Sequence, residues 1–241
     1  MISGMKLYRA ALLAALPMLL ASCATDDRVA SGAAQISEAS APQYRVGDRW
    51  VYRVREGFRT PIVFEETHTV TSIASDGITV HVTMRGPTIN EERIEKLVSP
   101  GLVRQGALFD IETRRFAGVL ERYRFPLRAG SAWQQRIANH NELTGRDGVI
   151  DRHVRVAGFD RVTTPAGTFD AVRLTIIMRL DDEEFWRWPT DGTYTLWYVP
   201  EVKASVREVK RASYVERSND DVGRLPAQNT LIELLSFTPG R

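Results

Sequence analysis

The chain has 241 residues, of which 43% are hydrophobic and 26% are charged, with a formal net charge of +2. Lys6 and Arg9 account for that whole excess, and both lie in a segment that we expect to be removed. A near-neutral mature chain argues against a strongly basic nucleic-acid-binding face, and the apolar content is that of an ordinary globular domain with its own core.

The N-terminus reads as an export signal. Lys6 and Arg9 precede an apolar run over residues 10–20, which is shorter than the roughly 20 residues that a bilayer-spanning helix needs. A basic segment, a short apolar run and small residues in that order are typical of a secretory signal. We therefore predict a signal peptide over residues 1–22, followed by Cys23.

The end of this segment, Leu20-Ala21-Ser22-Cys23, resembles the bacterial lipobox. The resemblance implies cleavage before Cys23, acylation of that residue and stable anchoring in a membrane, since several acyl chains exceed what one anchor requires. Ala24 follows the cysteine, which by resemblance to Gram-negative lipoproteins implies the outer membrane, facing the periplasm. An ordinary thiol is the alternative for this single cysteine.

Residues 24–43 are rich in Ala and Ser and show no apolar periodicity. This composition predicts a flexible tether, so that residues 23–43 form the lipidated cysteine and its linker. The folded domain is then predicted to span residues 44–241.

Alternating apolar residues predict strands throughout this domain. Strands are predicted within residues 50–55, 61–74, 78–84, 93–98, 102–108, 109–125, 131–140, 149–162, 169–180, 193–199, 202–216 and 229–237. Residues 90–97 are ambiguous between strand and helix. About a dozen regularly spaced strands predict an all-β fold, either a single curved antiparallel sheet or a half-open β-barrel.

Two turns are prominent. Ser75-Asp76-Gly77 joins two predicted strands, and Asp-Gly is a strong hairpin signal. Pro165-Ala166-Gly167 predicts a three-residue hairpin with a glycine bulge. Beyond it, one face of the strand is apolar and predicts a core face, formed by Val172, Leu174, Ile176, Met178 and Leu180.

The chain also predicts an internal duplication. Tyr44-Arg45-Val46-Gly47-Asp48-Arg49-Trp50 matches Leu127-Arg128-Ala129-Gly130-Ser131-Ala132-Trp133 in the order apolar, Arg, apolar, Gly, any two, Trp. The halves would be residues 44–124 and 125–241. Chance similarity between β-sequences is the alternative, because strands draw on few residue types.

Three motifs resemble the TapB-like group of bacterial secreted proteins, which is similar to a larger domain of unknown function. They are Phe125-Pro126-Leu127-x-x-Gly130-x-x-Trp133, Gly158-x-x-x-Val162-x-Thr164-Pro165-Ala166-Gly167-Thr168-Phe169-x-Ala171 and Trp197-Tyr198-Val199-Pro200-Glu201-Val202. The resemblance implies an all-β curved sheet or half-barrel, like the periplasmic lipoprotein carriers. It implies no catalytic residue.

Catalytic and metal motifs are missing from the sequence. It contains no Gly-x-Ser-x-Gly, His-Glu-x-x-His or glycine-rich phosphate loop. The four histidines lack the close spacing of a compact metal site; they are His68, His81, His140 and His153. The run Asp181-Asp182-Glu183-Glu184 is interpreted as a solvated hairpin tip rather than a calcium loop. We therefore predict no enzyme activity, no metal site and no cofactor.

Two functional hypotheses remain. The first is a binding module whose apolar concavity holds a lipid-like ligand, lined by Val172, Leu174, Ile176, Met178, Trp197 and Val199. The second is an envelope protein that docks a partner through Phe185-Trp186-Arg187-Trp188-Pro189 or a sheet edge. If these rings were instead folded back, they would cover one end of the barrel. The candidate contact residues are Phe185, Trp186, Trp188, Trp197 and Tyr198.

Overall fold

The structure, a computed structural model, describes residues 36–109, 111–218 and 223–241. The predicted signal peptide, Cys23 and the first part of the predicted tether lie outside these residues. In the part that is described, no helix has the length and apolar character required to cross a bilayer.

Twelve antiparallel strands form a closed barrel, and each strand pairs with its neighbour along the chain. The barrel strands are β2 (Arg49–Glu56), β3 (Ile62–Ala74), β4 (Gly77–Arg85), β5 (Asn90–Ser99), β6 (Leu102–Gly106), β7 (Arg114–Glu121), β9 (Ala132–Asn141), β10 (Arg146–Thr164), β11 (Gly167–Asp181), β12 (Thr190–Val199), β13 (Ala204–Tyr214) and β14 (Leu225–Thr238). Two short strands, β1 (Glu38–Ala39) and β8 (Leu127–Arg128), pair only with each other.

The predicted all-β class is confirmed, and the barrel is closed rather than half-open. The last strand, β14, pairs with the first, β2, from Thr230 opposite Glu56 to Thr238 opposite Arg49. The other junction between the two groups of six strands, β7 with β9, is shorter and pairs only residues 114–116 with 139–141. Closure satisfies the backbone groups that an open sheet would leave exposed along its edges.

The two hairpin turns have the same geometry. Ala74 pairs with Gly77, and Thr164 pairs with Gly167, so each turn contains two residues. The predicted three-residue hairpin at Pro165-Ala166-Gly167 is therefore wrong, because Gly167 belongs to the ladder. Both glycines have a φ of 141°, a conformation that a side chain disfavours.

The two ends of the barrel differ. End A is the end with the turns at residues 75–76, 165–166 and 200–203. The long β10–β11 hairpin folds over it, and the Ala166 amide donates to the Leu234 carbonyl at 3.1 Å. End B is the opposite end, with the loops at residues 57–61, 142–145 and 182–189 and the described parts of the connections that follow β6 and β13.

The N-terminal segment docks on end A. Ala39 is buried, Ile36 packs on the core, and Arg128 forms an ion pair with Glu38 at 2.6 Å. Residues 36–39, within the segment predicted as a tether, are therefore packed against the barrel. This segment has few apolar contacts and only a short strand pairing, so its sequence shows no periodic pattern.

The two groups of six strands repeat one backbone arrangement. Gly47 donates to the Val70 carbonyl at 2.8 Å, and the Val70 amide donates to the Asp48 carbonyl at 2.9 Å. In the second group, Gly130 donates to Val156 at 2.9 Å and Val156 donates to Ser131 at 2.8 Å. The matched sequence segments thus occupy matched positions, and both glycines have positive φ.

Candidate functional site

The predicted contact residues do not form one site. Trp197 and Tyr198 are buried in the barrel, whereas Phe185, Trp186 and Trp188 lie on the loop between β11 and β12 at end B. The Trp197 indole donates to Asp160 at 2.9 Å, and the Arg207 guanidinium covers its ring. Both buried aromatics are therefore structural parts of the wall and core.

The aromatic loop, residues 185–189, exposes its rings. Phe185 is 80% exposed, Trp188 49% and Trp186 39%. Of the two interpretations of this loop, the structure therefore has the exposed one. The rings therefore do not fold back to cover the barrel end.

Backbone bonds and stacked arginines hold the loop in place. The Trp188 amide donates to Val215 at 2.8 Å, and the Arg217 amide donates to Trp186 at 2.9 Å. The Arg187 guanidinium lies 5.5 Å from the ring centres of both Trp186 and Tyr214, and that of Arg217 lies 4.5 Å from the Trp188 ring. The patch is thus pre-organised rather than loose.

The acidic run beside this loop is only partly solvated. Asp182 is buried and accepts from Arg114 at 2.7 Å, and Arg187 lies 3.8 Å away. Glu184 pairs with Arg146 at 2.5 Å. The interpretation of the run as a solvated tip is therefore wrong for Asp182, because a buried arginine on β7 requires a counter-ion.

The barrel interior is mainly apolar on one side. Most residues of β10 and β11 that face inwards are almost fully buried and belong to one apolar cluster. Arg152 on β10 is also fully buried, and its guanidinium donates to the Tyr194 hydroxyl at 3.2 Å. The residues predicted to line an apolar concavity belong to this packed region, apart from Trp197. The side chains that fill it include Val154, Val156, Val172, Leu174, Ile176 and Met178.

The other side of the interior contains a cavity of about 130 Å³. Its walls come mainly from β2, β3, β5, β13, β14 and the loop after β6. Eight acidic or basic side chains lie among the residues that line it. They are Glu56, Glu66, His68, Arg93, Glu95, Arg122, Glu208 and Lys210.

Arg93 is the centre of a buried ionic network. It donates to Glu66 at 2.8 Å and to Glu95 at 3.1 Å. Arg122 lies 3.5 Å from Glu95, and the His68 ring lies 2.5 Å from Glu66. Each carboxylate therefore has two positively charged or hydrogen-bonding neighbours.

A second pair lies across the cavity. Glu208 accepts from the Ser205 hydroxyl at 2.5 Å and lies 3.2 Å from the Lys210 ammonium. Lys210 also donates to the Leu108 carbonyl at 3.4 Å, and Arg122 donates to the Ala107 carbonyl at 2.8 Å. The loop after β6 is thus attached to the barrel by the interior cations.

These contacts determine the protonation states. Burial alone would raise the pKa of Glu66, but Arg93 and His68 outweigh it and hold the pKa well below its usual range. Burial likewise opposes the ionised forms of Glu95 and Glu208, yet Arg122 and Lys210, respectively, lower the pKa values of these groups. Burial raises the pKa of Tyr44 to about 12. The carboxylates are ionised and the phenol is neutral at physiological pH.

Paired charges of this kind neutralise one another. A general base works best with a pKa near the operating pH, and the pKa values of these three carboxylates are lowered away from it. In the described part of the chain, no group of three or more His, Cys, Asp or Glu side chains is arranged to hold a metal ion.

Three of the four histidines lie beside a single carboxylate. His68, His81 and His140 contact Glu66, Glu92 and Asp147, respectively. His153 is exposed on β10, and its ring is 3.9 Å from Asp151. The histidines are therefore distributed over the barrel and do not converge.

The ionic network has no clear signature in the sequence because the strand pattern of β5 is ambiguous. Arg93, Glu95 and Leu97 alternate with Ile94, Lys96 and Val98, so neither face is uniformly apolar. The signal that could have found them is cross-strand register. Val80 lies opposite Glu95 and Val82 opposite Arg93, and directly paired residues share one face.

No protein-family model matches the chain, and no curated protein matches it. The resemblance to the TapB-like group therefore stays a prediction. Among solved structures, a candidate lipoprotein from Parabacteroides distasonis is similar to this chain, with a TM-score of 0.49 at 12% sequence identity. The alignment covers 83% of this chain and 99% of the lipoprotein chain.

An exported protein with a YmcC-like fold from Bacteroides fragilis has a TM-score of 0.49 at 11% identity, with the same coverage of both chains. The hypothetical lipoprotein YmcC from Escherichia coli has a TM-score of 0.41 at 8% identity, and covers 80% of this chain and 86% of its own.

Proposed function

We propose that this chain is a non-catalytic, lipid-anchored envelope protein that docks another protein through the aromatic loop at end B. The observation that carries the proposal is the exposure of three large rings on residues 185–189. Contiguous exposed aromatic surface is uncommon on soluble proteins without a partner. The lipobox-like residues ending in Cys23 support anchoring, and Ala24 supports the outer membrane as its site.

The composition of the patch favours a protein as the partner. Trp, Tyr and Arg are the residues that dominate protein–protein hot spots, and here Trp186, Tyr214, Arg187, Trp188 and Arg217 stack on one another. Stacking fixes the side chains before binding, which lowers the entropy lost on association. Since Arg217 is exposed, a partner with carboxylates among apolar side chains would complement the patch.

The position of the patch favours a partner away from the anchoring membrane. The chain enters the described part at Ile36, on end A, whereas the aromatic loop lies on end B. Strands of this length separate the two ends by roughly 25 Å. Other exposed apolar residues at end B, Phe58 and Leu143, extend the same face.

The lipid-like ligand has less support. The cavity of about 130 Å³ is smaller than the roughly 300–1,000 Å³ of typical ligand pockets. The absence of enzyme activity is part of the proposal and is supported by the lowered pKa values of Glu66, Glu95 and Glu208.

Photo-crosslinking in the native host tests the docking site. A photoreactive residue at Phe185 should give a discrete adduct with one envelope protein. The matched control is Ile177, which is 64% exposed on the wall of β11 and should give no such adduct. Trp188→Ser should weaken the adduct at position 185.

Equal adducts at positions 185 and 177, or no adduct at 185, would contradict docking through this loop. Adducts with lipid alone at 185 would show that the loop lies in a membrane and would also contradict it. Circular dichroism of each variant establishes that the barrel is intact.

Palmitate labelling tests the anchor separately. The wild-type chain should incorporate labelled palmitate and fractionate with the outer membrane, whereas Cys23→Ser should do neither. Incorporation into Cys23→Ser would show that the lipid is attached elsewhere.

A further inference from the structure

Two polar atoms in the cavity wall have no hydrogen-bond partner among the residues that the structure describes. They are Gln228 Oε1 and Thr230 Oγ1, on residues that are only 7% and 5% exposed. The two residues are separated by one position on β14, so their side chains share the inner face. Both line the cavity.

The orientation of the Gln228 amide is fixed by its other end. Its Nε2 donates to the Phe109 carbonyl at 2.8 Å. Exchanging the amide atoms would place Oε1 against another acceptor, so the oxygen must point away from that carbonyl. An amide oxygen can accept two hydrogen bonds, and a buried acceptor without a donor is unfavourable.

The cavity is large enough for more than one water molecule. Its volume of about 130 Å³ is close to that of an engineered protein cavity of about 150 Å³ that binds benzene. Apolar side chains form part of its wall, namely Phe109, Ile111 and Ile232. A compact ring fits this combination of size and surface.

The charged groups around the cavity already have partners. Glu66, Glu95 and Glu208 are paired with Arg93, Arg122 and Lys210, and Glu56 also has a partner. A charged ligand would lose its hydration without meeting a free counter-ion. The site therefore suits an uncharged molecule.

We infer that this cavity binds a compact, uncharged ring compound that donates a hydrogen bond to Gln228 Oε1. Phenol is the simplest molecule of this class. Thr230 Oγ1 accepts a second bond or donates one to the ligand oxygen. This site is independent of the aromatic loop and extends the protein's role to sensing or carrying a small molecule.

Binding of phenol and benzene to the purified mature chain tests the inference, because the two probes differ in the donor alone. Isothermal titration calorimetry should show binding of phenol at least roughly tenfold tighter than that of benzene. Gln228→Leu should remove this preference by weakening phenol binding, with little effect on benzene. Thr230→Val, which keeps the side-chain shape, should reduce the preference partly. Gln134→Leu, on the exposed face of β9, is the control and should bind as the wild type does.

Equal affinity for phenol and benzene would overturn the inference, as would binding of neither probe, since water alone would then satisfy Gln228 and Thr230. Phenol binding that survives both variants would place the probe elsewhere and would overturn it too. If Gln228→Leu fails to fold, Thr230→Val decides the outcome.

Discussion

The two sides of the barrel interior share one strand plan but contain different chemistry. Most inward-facing residues of β10 and β11, such as Val156 and Leu174, are packed and apolar, although Arg152 on β10 is also fully buried. Their counterparts in the first six strands include Glu66, Arg93 and Glu95, which surround a cavity. The backbone repeat thus does not require one type of core. Apolar packing stabilises one side, and the pairing of opposite charges allows ionic residues to be buried on the other.

This difference separates two kinds of sensitivity. A packed apolar region loses stability in proportion to the volume removed. A buried ionic network loses stability when one member is removed, because the others are left without counter-ions. Substitutions that remove a similar volume should therefore change the free energy of unfolding by different amounts on the two sides.

Arg93→Met should have the largest effect. It leaves Glu66 without its only arginine and removes one of two from Glu95, with an expected loss of about 3–5 kcal/mol in the free energy of unfolding. Urea denaturation measures this loss. Arg115→Met, which breaks an exposed pair with Glu142, should cost less than about 1 kcal/mol. Equal losses in the two variants would show that the network is not effectively buried.

Leu174→Ala should come next, with an expected loss of about 3 kcal/mol by the same measurement. Leu174 is 0% exposed in the apolar side, and its truncation leaves a cavity among packed apolar side chains. Ile177→Ala, three residues along the same strand but 64% exposed, is the control and should change stability by less than about 0.5 kcal/mol. A loss below 1 kcal/mol for Leu174→Ala would show that this side is loosely packed.

The sequence predicted the strands well because most of them have one wet face. Val172, Leu174, Ile176 and Met178 alternate with Arg173, Thr175 and the apolar Ile177, and this alternation corresponds directly to their burial. Closure could not be predicted in the same way. It depends on pairing between β2 and β14, which are far apart in sequence, and no local pattern records that contact.

The interior of the first six strands was less predictable for a physical reason. Ionic residues normally indicate solvent, so Arg93 and Glu95 read as surface residues although they face inwards. Burial of these charges is tolerated only because they pair with one another, and this pairing depends on the positions of three strands together. For the aromatic loop, sequence indicated where the rings lie but left their exposure open.

Substitutions at the equivalent turn glycines should reveal a smaller difference in stability between the two halves. At Gly77 an added Cβ would lie 2.2 Å from the Leu97 carbonyl oxygen, whereas at Gly167 its nearest neighbour is the Phe169 ring at 3.7 Å. Both positions also have positive φ, which costs about 1 kcal/mol or more for alanine. Gly77→Ala should therefore be less stable than Gly167→Ala by about 1–2 kcal/mol in thermal or urea unfolding, because its backbone must also shift. Equal losses of stability in the two variants would show that the backbone between β4 and β5 shifts with little loss of stability.

The smallest expected effect concerns pH. Because Lys210 and Ser205 outweigh burial, the pKa of Glu208 is lowered on folding, so the folded state holds this proton less tightly than the unfolded chain does. Its contribution to stability is present above the unfolded pKa of about 4.3 and is lost as the pH falls through the folded pKa. Between pH 7 and pH 4, the wild type should lose up to about 0.6 kcal/mol through this group.

Glu208→Gln removes that proton-linked step, so its decline in stability between pH 7 and pH 4 should be smaller by up to the same amount, about 0.6 kcal/mol. Urea unfolding at the two pH values measures the difference. Glu65→Gln, on the exposed face of β3, should follow the wild type more closely. If Glu208→Gln declined as steeply as the wild type, Glu208 would behave as a solvated carboxylate. The cavity side would then be wetter than its buried ion pairs indicate.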